Sequence, residues 1–111
     1  MWYNYIEVVI VNTVFYGVVE EEKERNLARQ KVCKEKIDAL PKGYLTQKTS
    51  KGTKYYYLQR RDGSKFSAAY IGNDEEKVEK IKYQIAERKH LEGILKRLKL
   101  EYKQMCKVVK E

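Results

Sequence analysis

The stretch LPKGYLTQKTSKGTKYYYLQRRDGSKFSAAYIG, residues 40–72, decides the fold of this chain. It contains three runs of strand-favouring residues, one of them with three consecutive tyrosines, and glycine-containing turns separate the runs. We place the strands at residues 44–49, 53–60 and 64–71. Charged sequence with helical periodicity precedes and follows them. The chain is therefore predicted to be α+β, with a helix, a three-stranded antiparallel sheet and a long C-terminal helix.

The second hairpin decides which side chains share a face, because a slip of one residue exchanges the two faces of a strand. With a two-residue loop at 62–63, Leu58 pairs with Ser67. With a three-residue loop at 61–63, Leu58 pairs with Phe66, and we favour this loop because it gathers apolar side chains. The predicted core face is then Tyr56, Leu58, Phe66, Ala68 and Tyr70. The predicted opposite face is Tyr55, Tyr57, Gln59, Lys65 and Ser67, joined by Thr46 and Lys48.

Residues 20–40 are predicted to form the first helix. Their apolar residues recur at three- and four-residue steps, which gives a narrow apolar stripe between charged positions. Pro41 and Gly43 follow in the positions where such residues usually end a helix. The stripe consists of Leu27, Cys33, Ile37 and Leu40.

Residues 73–110 are predicted to form a second, longer helix, which begins with a capping box from Asn73 to Glu76. Its apolar stripe breaks before Gly93, so we expect a bend or a change of packing partner near residues 90–93. The later apolar residues alternate at four and three positions, like the seam of a coiled coil. These seam residues are Leu91, Leu95, Leu98, Tyr102, Met105 and Val109.

Residues 1–19 form the most apolar segment and are rich in Val, Ile and Tyr. We expect one or two extra strands here, with a turn at Asn12 and Thr13; the alternative is a poorly ordered extension. Polar residues interrupt the apolar run, which argues against a membrane span, and no positive charge precedes it as in a signal peptide. We expect residues 1–111 to form a single cytoplasmic domain without membrane contact.

Charge and composition favour a binding protein over an enzyme. The 24 Lys and Arg residues exceed the 16 Asp and Glu residues, and the net charge of +8 favours polyanionic partners, although it also suits simple solubility. His90 is the only histidine, and the chain has no phosphate-binding glycine motif. Cys33 and Cys106 are too isolated for a zinc site. We expect no catalysis, no cofactor and no bound metal.

The sheet and its turns are the predicted site of nucleic-acid binding. Tyrosines on an exposed face can stack on bases, and the surrounding lysines and arginines can contact phosphates. Gln59 and Lys65 suit polar contacts, including contacts with base edges if the sheet enters a major groove. The competing explanation is ordinary strand propensity for the tyrosines and protection of sheet edges by the lysines. The candidate residues are Lys48, Lys51, Lys54, Tyr55, Tyr57, Gln59, Arg60, Arg61 and Lys65.

The alternative function is a protein-interaction module. The apolar seam of the second helix exceeds what a short first helix and a small sheet can cover. That excess favours a homodimer, or another protein partner, through the seam.

Short motifs in the middle of the chain resemble a family of small bacterial and archaeal proteins with an αβββα arrangement. The motifs are LPKG at residues 40–43, YYYLQ at residues 55–59, Tyr70-Ile71 and the acidic residues 74–76. The resemblance covers about residues 21–110 and implies the fold, but it carries no activity. The order of sheet and helix is also similar to the arm-type DNA-binding domains of phage integrases, an analogy of topology alone. It suggests a phage or mobile-element protein, whose target can be a host nucleoprotein complex.

Overall fold

The order of helices and strands is the predicted one. A computed structural model describes the backbone of residues 5–109 and the side chains of residues 13–108. The elements are, in chain order, α1 (Tyr5–Asp38), β1 (Tyr44–Ser50), β2 (Thr53–Asp62), β3 (Lys65–Gly72) and α2 (Glu75–Val109). The α+β prediction of a helix, three antiparallel strands and a long C-terminal helix is therefore confirmed.

The prediction of additional N-terminal strands is wrong for residues 5–19, which belong to α1. Residues 1–4 lie outside the described part of the chain. A β-branched residue disfavours a helix by only a few tenths of a kcal/mol, whereas starting a helix is the strongly unfavourable step. A helix that begins in the charged segment after residue 19 therefore extends towards the N-terminus, where no proline stops it. Within the described residues, no helix has the combination of length and hydropathy that crossing a membrane requires.

The chain contains two compact units. One comprises Met1–Lys34 and Gly93–Glu111, and the other comprises Glu35–Glu92. The boundary between the units falls after Lys34 in α1 and before Gly93 in α2. The bend or change of packing partner expected near residues 90–93 stays a prediction, because α2 contacts α1 on both sides of Gly93.

In the Glu35–Glu92 unit, the sheet has the order β1-β2-β3, so β2 is the central strand. Lys51 and Gly52 connect β1 to β2, and both have positive φ, as a type I′ turn requires. Gly63 and Ser64 connect β2 to β3. Only Gly63 of this pair has positive φ, which is the pattern of a type II′ turn.

The register of β2 and β3 differs from both predicted arrangements. Leu58 pairs with Ala69. The predicted pairing of Leu58 with Phe66 is wrong, and so is the alternative with Ser67. The cause is the turn, since Gly63 occupies its first position rather than its last. Relative to the favoured prediction the shift is an odd number of residues, so the side chains of β3 from Lys65 to Tyr70 lie on the face opposite to the predicted one.

Gly43 precedes β1 in a conformation that only glycine adopts without strain. Its φ is 129°, and a Cβ atom at this position would clash with the backbone carbonyl oxygen of Gln59 in β2. The close approach of the two backbones lets β1 start directly alongside β2. A side chain at position 43 would push the strands apart.

The start of α2 is capped one residue later than predicted. The carboxylate of Asp74 accepts a hydrogen bond from the backbone N–H of Glu76 at 3.1 Å. Asp74 is therefore the N-cap residue in place of Asn73, and its negative charge also suits the helix N-terminus.

Arg88 joins α2 to the end of α1 within this unit. Its Nη1 donates to the carbonyl oxygens of Ile37 and Leu40, at 2.7 and 2.8 Å, and its Nε donates to Glu92 at 3.0 Å. Carbonyls at a helix C-terminus lack partners within the helix, and a cation stabilises that end. Arg88 therefore accounts for the break in the apolar stripe of α2. The buried apolar side chains of this unit are Ile37, Val78 and Leu91.

The other unit contains a buried polar pair at the interface of its helical segments. Asn26 is 2% exposed, and its Nδ2 donates to the carbonyl oxygen of Leu98 at 2.9 Å. Its Oδ1 accepts a hydrogen bond from Nε2 of Gln30 at 2.6 Å. These hydrogen bonds are satisfied in only one alignment of α1 against α2, so they fix how the two segments pack. Among the residues of this unit whose side chains are described, the buried apolar ones are Cys33 and Leu98.

Candidate nucleic-acid interface

The register assigns each strand residue to one of two faces, because directly paired residues in antiparallel strands project to the same side. The helix face contacts α2, where Nζ of Lys82 lies 5.5 Å from the ring centroid of Tyr56. It carries Leu45, Gln47, Thr49, Lys54, Tyr56, Leu58, Arg60, Asp62, Lys65, Ser67 and Ala69. The opposite side, which we call the open face, carries Tyr44, Thr46, Lys48, Thr53, Tyr55, Tyr57, Gln59, Arg61, Phe66, Ala68 and Tyr70.

Aromatic rings from all three strands gather on the open face. The ring centroids of Tyr57 and Tyr70 are 5.4 Å apart in an edge-to-face arrangement, and those of Tyr55 and Tyr70 are 6.4 Å apart. Phe66 is 65% exposed and Tyr70 is 60% exposed, although both are large apolar residues. A folded chain usually buries such side chains or uses them for binding. The five rings are Tyr44, Tyr55, Tyr57, Phe66 and Tyr70.

Two cations lie against these rings. Nζ of Lys48 is 5.2 Å from the ring centroid of Tyr57, and the guanidinium carbon of Arg61 is 5.0 Å from that of Phe66. Nε of Arg61 also donates to the carbonyl oxygen of Gly63 at 3.1 Å, which orients the guanidinium group. The strand residues assigned to the open face include no Asp or Glu. The open face is therefore aromatic and positively charged.

Gln59 forms hydrogen bonds with two neighbouring side chains of the open face. Its Oε1 accepts a hydrogen bond from the hydroxyl of Tyr44 at 3.2 Å, and its Nε2 donates to Oγ1 of Thr46 at 3.2 Å. Both ends of the amide are thus engaged with neighbouring side chains. The structure shows Gln59 as a residue that positions Tyr44.

The structure divides the nine residues predicted to bind nucleic acid. Lys48, Tyr55, Tyr57, Gln59 and Arg61 lie together on the open face, and Lys51 lies in the first turn. Three basic residues, Lys54, Arg60 and Lys65, lie on the helix face. The predicted grouping of Lys65 and Ser67 with Tyr55 and Tyr57 is therefore wrong.

Arg60 is occupied by an ion pair on the helix face. Its Nε lies 2.9 Å from Oδ2 of Asp62, and Nζ of Lys42 lies 3.8 Å from Oδ1 of the same carboxylate. All three side chains are about half exposed, so the pairs contribute little to stability. They do balance part of the positive charge on the helix face.

Three aromatic residues of the open face were not among the predicted binding residues: Tyr44, Phe66 and Tyr70. Phe66 and Tyr70 were assigned to the core through the wrong register. The dipeptide Gly63-Ser64 was the available signal, because glycine followed by serine between two strand-like runs favours a two-residue type II′ turn. That turn places Phe66 and Tyr70 on the same side as Tyr57.

The predicted seam residues of α2 are divided between the two units. Leu91 is buried in the Glu35–Glu92 unit. In the other unit Leu98 is buried next to Asn26, while Lys23 of α1 lies over the ring of Tyr102 at 5.8 Å. Leu95 and Met105 are partly exposed, and the side chain of Val109 lies outside the described residues. The argument for a dimer assumed a first helix limited to residues 20–40; α1 is longer and packs beside part of the seam.

Metal binding finds no support in the part of the chain that the structure describes. There, no group of three or more His, Cys, Asp or Glu side chains is placed to hold an ion. Comparisons with protein-family models, with curated proteins and with solved structures find no match to this chain. The geometry of the open face is therefore the main guide to function.

Proposed function

We propose that this chain binds single-stranded or unpaired nucleic acid by stacking bases on the open face. The observation that carries the proposal is the set of five aromatic rings, all at least partly exposed, with two cations beside them and no carboxylate among the strand residues of that face. Aromatic side chains on a sheet are a recurrent platform for unpaired bases. Each stacked base contributes about 1–3 kcal/mol, so three stacked bases supply up to about 9 kcal/mol towards the roughly 8 kcal/mol of micromolar affinity, and phosphate contacts add to it.

The composition of the open face favours stacking over reading a duplex. A major-groove reader needs long polar side chains that are free to reach base edges. Gln59 is already hydrogen-bonded at both ends of its amide, and Arg61 lies over Phe66 with its Nε engaged. The flat rings themselves have no donor pattern that distinguishes one base pair from another. Bases that are already unpaired can reach these rings without melting a duplex.

The distribution of charge predicts a modest dependence on salt. Lys48 and Arg61 are on the open face and Lys51 is in the adjacent turn, whereas Lys54, Arg60 and Lys65 are on the helix face. Three phosphate contacts give a slope of about −2 for log affinity against log salt on a single strand. Nine or more contacts, as in a strongly basic duplex-binding protein, would give a slope several times steeper.

The test is fluorescence anisotropy of the full chain with labelled oligonucleotides of about ten nucleotides, a length within the range bound by one compact domain. Single-stranded DNA, single-stranded RNA and a blunt duplex of the same sequence are compared at several salt concentrations. We expect the single strands to bind more tightly than the duplex and with the shallow salt slope. The double variant Tyr57→Ala/Tyr70→Ala should weaken single-strand binding at least about tenfold.

A matched control separates stacking from a general loss of tyrosine. Tyr83 is also strongly exposed, but it lies on α2 and not on the sheet. Tyr83→Ala should leave the affinity within about twofold, because it removes no ring from the open face. Equal loss in both variants, or preferential binding of the duplex, would refute the proposal.

A further inference from the structure

The unit formed by Met1–Lys34 and Gly93–Glu111 has a groove along one flank of its helical segments. The groove has a volume of about 720 Å³, and its apolar wall is formed by Leu27 of α1 with Leu100 and Tyr102 of α2. The residues of α2 that line it extend from Gly93 to Lys103. Ten residues of helix span about 15 Å, which is the length of nearly three helical turns.

Around this groove two leucine side chains are exposed and a polar side chain is buried, which is the opposite of the usual distribution. Leu100 is 57% exposed and Leu27 is also exposed, whereas Asn26, the neighbour of Leu27, is buried and hydrogen-bonded to Leu98. The register of α1 is thus set by its polar residues, and its leucine is turned into the groove. Leucines in a concave surface of this kind are typical of sites that another apolar side chain fills.

Gly93 lines the same groove, although no contact with the described residues requires a glycine at this position. It lies inside α2, where glycine is the least favourable residue apart from proline. A Cβ atom at this position would meet no other atom within 4 Å. The described residues therefore have room for a larger side chain here. The absence of a side chain leaves space for the backbone of another helix to approach closely.

The rim of the groove is strongly positive. Four basic side chains contribute to it: Lys96, Arg97, Lys99 and Lys103. All four are exposed, and none forms an ion pair with a carboxylate among the described residues. No acidic residue lines the groove within the described part of this unit. An occupant with the opposite charge would therefore gain several new contacts, and a positively charged occupant would be repelled.

We infer that this groove binds an acidic amphipathic helix of a protein partner. The partner helix places apolar side chains at positions i, i+3 or i+4, and i+7 against Leu27, Leu100 and Tyr102. Its backbone passes over Gly93, and its Glu or Asp side chains pair with the basic rim. This site lies on different residues from the open face of the sheet, so it adds a protein partner to the proposed nucleic-acid ligand.

The experiment uses two labelled synthetic helices of about 18 residues, long enough to be partly helical in water. Both carry leucine at the i, i+3, i+4 and i+7 positions; one has glutamate and the other lysine at the remaining positions. Anisotropy with the full chain should give saturable binding of the glutamate peptide at a Kd of about 100 μM or below, with no binding of the lysine peptide. Failure of the glutamate peptide to bind, or equal binding of both, would overturn the inference.

Two glycine variants test the position of the site. Gly93→Leu should raise the thermal midpoint and weaken the glutamate peptide at least about tenfold, because the new side chain occupies the groove. Gly17→Leu is the matched control: Gly17 is also inside a helix, and a Cβ atom there would likewise meet nothing within 4 Å, but it does not line the groove. The control should bind the peptide like the unmodified chain. Loss of binding in both variants, or in neither, would contradict the assignment.

Charge reversal tests the nature of the partner. Lys96→Glu/Lys103→Glu leaves the rim with two positive and two negative charges, so it should weaken the glutamate peptide at least about tenfold and remove most of the discrimination against the lysine peptide. Sedimentation of the unmodified chain and of Gly93→Leu examines a second copy as the occupant. Self-association that disappears in Gly93→Leu would show that a second copy fills the groove, which would overturn the choice of an acidic partner helix.

Discussion

Aromatic side chains have different surroundings on the two faces of the sheet. On the helix face, Tyr56 lies beneath Lys82 of α2, and Leu58 lies close to Gly43, so these side chains hold the unit together. On the open face, Phe66 and Tyr70 are mostly exposed; Phe66 lies against Arg61, and Tyr70 lies against Tyr55 and Tyr57. The comparison shows that five of the six aromatic residues of the sheet lie on the open face, two of them mostly exposed. Such an arrangement is expected of a surface whose partner is another molecule.

The faces also differ in their charge. The helix face combines basic residues with Asp62, which pairs with both Arg60 and Lys42. The open face has Lys48 and Arg61 beside aromatic rings and carries no acid. A count of basic residues in the hairpin therefore overstates the charge available to a polyanion. The variants described below test whether the helix face determines stability and the open face determines binding.

Gly43→Ala should have the largest effect, because it disturbs both faces at once. Its Cβ atom would meet the carbonyl oxygen of Gln59, and alanine disfavours the positive φ of this position. We expect a loss of at least about 3 kcal/mol in the free energy of unfolding, measured by chemical denaturation. Gly17→Ala, within α1, should instead raise stability by up to about 1 kcal/mol. A stable Gly43→Ala protein would show that β1 can start without the close approach.

Two adjacent tyrosines allow the faces to be compared directly. Tyr56→Ala should reduce the free energy of unfolding by about 2 kcal/mol, since the ring is half-buried beneath α2. Tyr57→Ala removes a ring that is equally half-buried, so it should cost a comparable amount of stability, but it should also weaken single-strand binding by about 5- to 150-fold, which Tyr56→Ala should not. Denaturation and anisotropy on both variants provide the measurements. The reverse pattern would mean that the two faces have been assigned the wrong way round.

The basic residues provide a second pair of variants with equal changes in net charge. Lys48→Ala/Arg61→Ala removes both cations of the open face, and we expect single-strand affinity to fall by about 1–2 kcal/mol with a shallower salt slope. Lys54→Ala/Lys65→Ala removes two cations of the helix face and should change affinity by less than about 0.5 kcal/mol. Similar losses in both variants would indicate that overall charge, rather than the open face, governs binding.

The smallest predicted effect concerns the first turn. Lys51 has a φ of 50°, which asparagine tolerates better than lysine. Lys51→Asn should raise the free energy of unfolding by about 0.5 kcal/mol and reduce the salt slope by about 0.7, the contribution of one phosphate contact. Thermal denaturation and a salt titration test the two parts independently. An unchanged salt slope would remove Lys51 from the binding surface.

The sequence predicted the number and the approximate ends of the strands, because glycine-containing turns separate runs of strand-favouring residues. It did not predict the register, since the favoured three-residue loop begins at Arg61, whereas the turn in the structure begins at Gly63. That single choice moved Phe66 and Tyr70 from a predicted core to the open face. Five candidate residues nevertheless lie where they were predicted, on the open face or in the first turn: Lys48, Lys51, Tyr55, Tyr57 and Gln59.

The long N-terminal helix was not predictable from residue preferences within residues 1–19. Valine, isoleucine and tyrosine favour strands there, but the helix of the following charged segment continues through residues 5–19. For the same reason the first helix was expected to be short, and the apolar seam of α2 was therefore predicted to need a partner from another molecule. In the sequence, Arg88 is visible only as part of the break in the apolar pattern of α2. Its two carbonyl partners could not be anticipated, because they lie about fifty residues earlier in the chain.

The position of β3 at the edge of the sheet has a consequence for handling the protein. Its residues 66–71, FSAAYI, contain no charge and no proline, and among the described strands none pairs with its outer side. An uncharged edge of this kind can accept an extended segment from another molecule through backbone hydrogen bonds. Concentrated solutions should therefore tend towards aggregation through strand addition, and a lysine introduced at Ser67, on the helix face, should suppress it without altering the open face.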